Sequence, residues 1–580
     1  MVKKLDKVDV VTVGSGWSGG IVAAELSKKG YQVLVLERGQ YKKQEDFVGT
    51  KDELRFSLRY DLMQDLSKDT ITSRNYMDEK ALPVRNNDQA RLGSNTGGAG
   101  VHWNGISFRW LPYDFEIYSK TVERYGKEKI PDEVTIQDWG ITYDELEPYY
   151  DRFEKTAGIS GEENPIGPKR SDKYPTPPMK DTTAIRLFKK ATKELGYHPY
   201  HMPSANVTET YENPDGETIN ACMYCAFCEE YGCDFGAKAD PIITVLATAE
   251  KTGNYEIRNE ATVVRVLHDG NRATGVVYVD TNTGEEYEQP ADLVVLAGFV
   301  FTNTRLLLLS KIGRPYDPTT GKGVIGKNFT GHFSNLSTYV GARGYFEDKK
   351  FNTFMGTGAL GATIDDFSGD NMDHTDLDFL HGFEVHYSQL GARPIANNQV
   401  PEGTPTWGKE FKEKSLHYTY RNLFITPQSG YTPKKHNYMD LDPTYKDFLG
   451  NPLLRVTCKY TDQDRNLSRK GISICKEIME KMGADIVDTD EISDDVEFNH
   501  AYYTDHFLGG VIMGSDPETS AVNTYSQMWD MENLFVVGGS SFPHNSNYNP
   551  TGTIGAFAYR AADGMIKYLD NGGGLVEKGK

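Results

Sequence analysis

A run of six residues, Val8 to Val13, leads directly into Gly14-Ser15-Gly16-Trp17-Ser18-Gly19, and this junction constrains the fold more than any other part of the chain. The run is apolar and β-branched, as a strand buried in a parallel sheet must be. Ile21 to Lys29 then spaces its apolar residues as a helix does, Gly30 stops it, and Gln32 to Leu36 makes a second buried strand ending at Glu37. Together they form a βαβ unit. Gly14 permits the tight turn, Gly16 lets a pyrophosphate approach the backbone, and Gly19 allows close helix–strand packing. The helix N-terminus attracts a diphosphate, and Glu37 can accept a hydrogen bond from a ribose. The spacing predicts dinucleotide binding, and FAD and NAD satisfy it equally.

Further along, Thr142-Tyr143-Asp144-Glu145 has the form of a capping box opening a helix through Phe153. Alternation from Tyr255 to Glu288, with turn signals at Asp269-Gly270 and Asn282-Thr283-Gly284, predicts a small antiparallel meander. Ala291 to Leu296 returns to a buried-strand pattern, and Asn303 to Lys311 is helix-like. Residues from about Asn335 to Val456 mix strand-like runs with Gly and Pro and read as a sheet-rich cap. The expected class is α/β: a nucleotide-binding core interrupted by a substrate domain.

With 580 residues and a formal net charge of −20, the chain repels a phosphate backbone, so nucleic-acid binding is not expected. The first residues lack the apolar stretch of a cleavable signal, and the longest apolar run, Leu293 to Phe301, is too short to span a bilayer. From this chain alone the expected compartment is the cytoplasm. A periplasmic or membrane-associated place would require export with a partner subunit.

A second glycine cluster, Arg91-Leu92-Gly93-Ser94-Asn95-Thr96-Gly97-Gly98-Ala99-Gly100-Val101-His102-Trp103-Asn104-Gly105, offers many backbone N–H groups able to wrap a planar ring at close range. Here the chain resembles the glucose–methanol–choline (GMC) family of flavoprotein oxidoreductases. Asp138 to Tyr150 (DWGITYDELEPYY), Leu293 to Arg305 (LVVLAGFVFTNTR) and Leu534 to Asp563 resemble further family blocks, in order and over nearly the whole chain. Within the family the likeness is to flavoprotein subunits of gluconate 2-dehydrogenase type and related sugar dehydrogenases. The resemblance implies FAD, and a Rossmann-like FAD-binding domain with an inserted β-rich (α+β) substrate domain. It divides the chain into an FAD-binding domain at 1–107, 239–331 and 501–580 and a substrate domain at 108–238 and 332–500. Gly14, Gly16, Gly19, Glu37, Arg38, Gly97, Gly98, His102, Trp103, Asn104, Val264, Ala297, Gly539, Ser540, Pro550 and Thr551 would hold the cofactor. In several relatives a histidine in the position of His102 carries the flavin covalently, which implies a histidyl–FAD bond here; the alternative is a hydrogen bond near the ring.

The segment Tyr503-Thr504-Asp505-His506-Phe507-Leu508-Gly509-Gly510 carries a histidine ahead of glycines, and Asn549-Pro550-Thr551 has the form of an N-cap followed by a first-turn proline, opening a helix to Leu569. Removing hydride from a carbinol carbon needs a base for the hydroxyl proton and a polar group to orient the hydroxyl, which a neutral histidine and an amide supply. By the resemblance, His506 and Asn549 are that pair, with Asp505 tuning His506 and His544 accessory. A satisfied core histidine is the plainer reading of His506.

Four of the six cysteines, Cys222, Cys225, Cys228 and Cys233, fall within twelve residues. Four close thiolates suit an iron–sulfur cluster or a structural zinc. The family likeness favours a [3Fe-4S] or [4Fe-4S] cluster that relays electrons to an external acceptor such as a cytochrome, with a small subunit as a further partner. The expected enzyme is an FAD-dependent dehydrogenase of a hydroxyl on a sugar, sugar acid or glycoside. The alternatives are an oxygen-using pyranose or glycoside oxidase with a zinc or degenerate cysteine site, and a redox subunit that binds FAD without turnover.

Overall fold

The computed structural model describes residues 2–49, 58–87, 90–336, 339–390, 399–500 and 504–576; Met1 and Tyr503 lie outside them. The glycine turn sits at the C-terminal end of Val8–Val13, and the helix Trp17–Lys28 returns the chain to Val33–Leu36, which pairs parallel to the first strand. These strands belong to an eight-stranded sheet ordered Ala261–His268, Ala273–Asp280, Glu286–Leu296, Val8–Val13, Val33–Leu36 and Tyr255–Arg258. Lys3–Lys4 and the late strand Leu534–Val536 also pair with Glu286–Leu296.

Two expectations are corrected here. Tyr255–Arg258 is not part of the meander; it pairs parallel with Val33–Leu36 at the edge of the main sheet. Ala291 to Leu296 is not a separate strand but the buried half of the eleven-residue Glu286–Leu296. Its first half alternates because one face meets solvent in the antiparallel meander, and its second half is continuously apolar because it lies inside the parallel sheet.

The cap is a six-stranded antiparallel sheet ordered Ile486–Thr489, Ala342–Tyr345, Asn422–Ser429, Phe383–Ser388, Gly361–Ile364 and Tyr200–His201. The helices Thr183–Glu194 and Asp462–Lys481 contribute Ile185, Phe188, Leu467, Ile474, Ile478 and Met479 to the core this sheet shares with Ile364, Phe383, Val385 and Ile425. Sequence patterning toward strands missed these two helices' part in the cap.

Two helices fix the end of the site. Tyr143–Ala157 opens with the expected capping box, Thr142 N–H donating to the Glu145 carboxylate at 2.9 Å. It packs on Thr551–Asp570, where a Cβ on Gly555 would lie 2.2 Å from the Phe153 ring, so only glycine admits that approach. The hydroxyls of Tyr150 and Thr553 meet at 2.6 Å. Among the described residues no helix is long and apolar enough to cross a membrane.

Candidate active site

A cavity of about 750 Å³ opens along the C-terminal ends of the parallel strands, the place where open α/β sheets bind ligands. Gly14, Gly16, Glu37, Arg38, Gly98, His102, Trp103, Asn104, Val264, Ala297, Gly539, Pro550 and Thr551 line it, as do Asp505, His506 and Asn549. Its volume is that of a pocket for a large organic cofactor.

The glycines are where backbone must pass close. A Cβ on Gly14 would stand 2.7 Å from the Ala297 carbonyl oxygen, and one on Gly19 would stand 2.0 Å from that of Gly14. Glu37 braces the turn: its carboxylate accepts from Ser15 N–H at 3.0 Å, Ser15 Oγ at 2.7 Å and Gly39 N–H at 2.9 Å. Three helices begin at this cavity, Trp17–Lys28, Val300–Ser310 and Thr551–Asp570, with no acidic residue in any first turn and, among the described residues, no side-chain cap. Their partial positive charge and uncapped N–H groups suit an anionic diphosphate and an electron-rich ring.

Other expected residues contribute through backbone or packing. Gly97 does not line the cavity; its N–H donates to Ser15 Oγ at 2.9 Å and locks the two glycine loops together. Trp103 Nε1 donates to the Ala239 carbonyl at 2.9 Å, and Asn104 Oδ1 accepts from Ile106 N–H at 3.0 Å. Val264 sits where the strand register shifts between Val263 and Arg265. Arg38 is within 3.5 Å of Asp69. Ser540 is the exception: it is fully buried away from the cavity, its hydroxyl accepting from Asn303 Nδ2 at 3.0 Å. Sequence placed it one residue too far along a short turn whose Gly539 faces the ligand space. His102 is buried, and among the described residues its Nδ1 has no hydrogen-bond partner. Burial, with Lys238 and Arg91 nearby, pushes its pKa down to about 3, so the imidazole is neutral. An FAD group fits this lining: three uncapped helix N-termini, the glycine turn and His102 all border one cavity.

His506 and Asn549 meet at the opposite wall, Asn549 Nδ2 standing 3.2 Å from His506 Nε2. Asn549 does not cap the following helix, as its position suggested; Pro550 occupies the cap, and the Asn549 amide is taken by His506 and by Gln428 Nε2, which donates to its Oδ1 at 3.1 Å. His506 has φ +53°, a strained conformation for a non-glycine residue. Its Nδ1 lies 2.7 Å from that of His332 and 3.5 Å from an Asp505 carboxylate oxygen. Burial lowers the His506 pKa and raises that of Asp505 to about 6. His544 is not at the cavity: it is buried against Trp139 Nε1 at 2.8 Å, and its Nδ1 meets the Asn545 carbonyl at 2.9 Å. His332 and Gln428 carry no local sequence signal, because long-range strand pairing alone brings them here.

The cysteine loop abuts the same cavity. Glu229 and Glu230, next to Cys228, line it, and Glu230 N–H donates to the His102 carbonyl at 2.8 Å. Cys228 and Cys233 are buried and Cys222 and Cys225 half-buried. The sulfurs of Cys222, Cys233 and Cys228 accept from Tyr224 N–H, Ala237 N–H and Asn206 Nδ2 at 3.4, 3.4 and 3.5 Å. Burial pushes the Cys228 thiol up to about 11, Cys233 and Cys225 adding to this and Lys238 opposing it; burial and the neighbouring thiols raise Cys222 as well. Tyr224, Ala226 and Glu230 all have positive φ, so the loop folds back on itself around its thiols. Among the described residues, no three of these sulfurs lie within 4.8 Å of one another. Cys458 and Cys475 are buried core residues.

Family models described as GMC oxidoreductase match residues 135–334 and 433–558. The chain is 39% identical to the gluconate 2-dehydrogenase flavoprotein of Pantoea cypripedii, over 100% of this chain and 96% of that protein. It is 30% identical to the 2-methyl-1,2-propanediol dehydrogenase of Mycolicibacterium austroafricanum, over 97% and 96%. In fold it is similar to a formate oxidase variant of Aspergillus oryzae, with a TM-score of 0.64 at 16% identity over 98% of this chain and 99% of that one. The chain belongs to the GMC oxidoreductase family and is an FAD-dependent oxidoreductase acting on CH–OH groups.

Proposed function

We propose that the chain is a dehydrogenase that oxidises a hydroxyl of a sugar, sugar acid or glycoside and passes the electrons through an iron–sulfur cluster to an external acceptor. The observation that carries this reading is the His506–Asn549 pair on the wall of the cavity that the glycine turns also line. Bound FAD supplies a two-electron acceptor for the hydride of a carbinol carbon. His506 Nε2, which meets Asn549 Nδ2 when no substrate is bound, takes the hydroxyl proton; burial holds the ring neutral, so its lone pair is present at ordinary pH. Asn549 Nδ2 donates to the hydroxyl oxygen and supports the charge that develops there. Gly14, Gly16, Glu37, Arg38, Gly98, Trp103, Asn104, Val264, Ala297, Gly539, Pro550 and Thr551 would hold the cofactor, with Gly19, which does not line the cavity, acting by letting the helix pack on the turn, Gly97 acting through Ser15, and His102 carrying the covalent link. The FAD-binding domain comprises 1–107, 239–331 and 501–580, and 108–238 with 332–500 forms the substrate domain.

Cys222, Cys225, Cys228 and Cys233 hold the cluster. A tetrahedral zinc with Zn–S near 2.3 Å would draw its sulfurs to about 3.8 Å apart; that no three of them lie within 4.8 Å of one another among the described residues supports a cluster over zinc. The likeness to a gluconate 2-dehydrogenase flavoprotein supports a sugar-acid substrate, and that to a fructose dehydrogenase large subunit supports a partner subunit; the likeness to a diol dehydrogenase supports a vicinal alcohol. A visible spectrum before and after acid precipitation, with iron and zinc analysis, tests flavin, cluster and covalent link together. Dye reduction across gluconate, neutral sugars, glycosides and 2-methyl-1,2-propanediol tests the substrate, and unchanged turnover in His506→Ala would remove the base assignment.

A further inference from the structure

We propose that His332 is a positioning residue that fixes the tautomer of His506, so that the Nε2 lone pair always faces the cavity. The inference rests on His506 being the base and adds what makes it one. His332 lies on Thr330–Phe333, which pairs antiparallel with Thr504–Leu508, His332 standing opposite Asp505. Consecutive residues of a strand point to opposite faces, so His506 in regular register would point away from His332. The register shift between Thr330 and His332, together with φ +53° at His506, turns the two rings toward each other, 4.9 Å between centroids and edge-on. Bulges of this kind re-aim side chains beside active sites.

The proton positions along this row then follow from its ends. His332 Nε2 is 2.8 Å from the Ser546 carbonyl oxygen, which only accepts, so Nε2 carries the hydrogen. Fully buried and neutral, His332 then has a bare Nδ1. At 2.7 Å from it, His506 Nδ1 must donate, which leaves His506 Nε2 without a hydrogen. The other end gives the same answer independently. Gln428 Nε2 donates to the Asn547 carbonyl at 3.0 Å and to Asn549 Oδ1 at 3.1 Å, which orients the Asn549 amide with Nδ2 toward His506 Nε2, again an acceptor. Two backbone carbonyls, Ser546 and Asn547, thus direct one row of four side chains. Asp505, at 3.5 Å from His506 Nδ1, is too far to replace His332 as hydrogen-bond acceptor. When His506 takes the hydroxyl proton, its Nδ1–H stays bonded to His332, so the ring neither flips nor loses its partner. The arrangement performs the orienting task of the aspartate in a serine-protease triad with an uncharged group.

The test uses the FAD-loaded protein with His332→Phe, which fills the space without an acceptor, and His332→Gln, which keeps one donor and one acceptor. With whichever alcohol of the panel reduces the wild-type flavin, His332→Phe should slow flavin reduction at least about 100-fold with KM within about threefold, and His332→Gln should recover about tenfold or more of that loss. Ring-nitrogen NMR of 15N-histidine-labelled protein, with the His506 signal identified by its absence in His506→Ala, should show protonated Nδ1 and bare Nε2 in wild type and a tautomer mixture in His332→Phe. A protonated Nε2 in wild type overturns the proposal, whether or not the variants fold. So does full-rate reduction by His332→Phe when His506→Ala is inactive. Should His506→Ala itself reduce flavin at the wild-type rate, the base assignment fails and the NMR tautomer alone decides the positioning claim.

Discussion

The ammonium of Lys238 lies 2.6 Å from the carbonyl oxygen of Cys228. The same group meets the carbonyls of Trp103 at 2.6 Å and Tyr231 at 2.9 Å, and the side chain is fully buried. One cation therefore ties the cavity wall at Trp103 to the cysteine loop. Replacing it by Met takes a donor from all three carbonyls, of which Cys228 O also accepts from Tyr231 N–H at 3.3 Å, so urea unfolding should report a loss of about 2–4 kcal/mol. Iron per chain should fall in the same variant.

Gly16 and Gly19 separate ligand approach from packing. Gly16→Ala meets only the Gly97 carbonyl oxygen, at 3.8 Å, so the chain should keep its melting temperature while flavin per chain falls severalfold. Gly19→Ala drives a Cβ to 2.0 Å from Gly14 O and should lower both flavin content and melting temperature. Flavin absorbance per chain and a thermal melt on each variant check this.

The contrast shows what the chain discloses locally. The glycine turn, the capping box at Thr142 and the helix ahead of Leu569 were legible because each depends on residues a few positions apart. The cap of the late helix is not legible locally, since Asn549 is drawn off by His506 and Gln428, more than forty and more than a hundred residues away in sequence. Tyr255–Arg258 looks like a meander strand because an edge strand of a parallel sheet shows the same half-exposed alternation. His332 was invisible for a stronger reason: its environment is made by a strand pairing with residues 504–508, and nothing around position 332 encodes that.

For His102, the prediction concerns where the colour goes. Acid precipitation of wild type should leave flavin in the pellet, and His102→Ala should release it to the supernatant while still binding FAD. Absorbance of the two fractions decides it.

Acid should weaken the flavin-free protein through its buried imidazoles. Burial, with His506 beside it, lowers His332 to about 3, against an ordinary value near 6.5 in the unfolded chain. Between those values the unfolded state binds more protons, so stability is full above pH 6.5 and is lost as pH falls toward 3. Asp505, raised to about 6, acts in the opposite sense between about pH 4 and 6, so the comparison must be with His332→Gln. That variant should show a shallower fall in unfolding free energy between pH 6.5 and 5, by up to ~1.4 kcal/mol per pH unit.

The strand Leu534–Val536 slots beside Glu286–Leu296, and Thr504–Leu508 beside Thr330–Phe333, each joining segments well over a hundred residues apart. Synthesis from the N-terminus therefore delivers the wall that carries His506 and Asn549 last. A chain that has emerged only through residue 480 lacks the strand Thr504–Leu508, so its His332 has no His506 to meet.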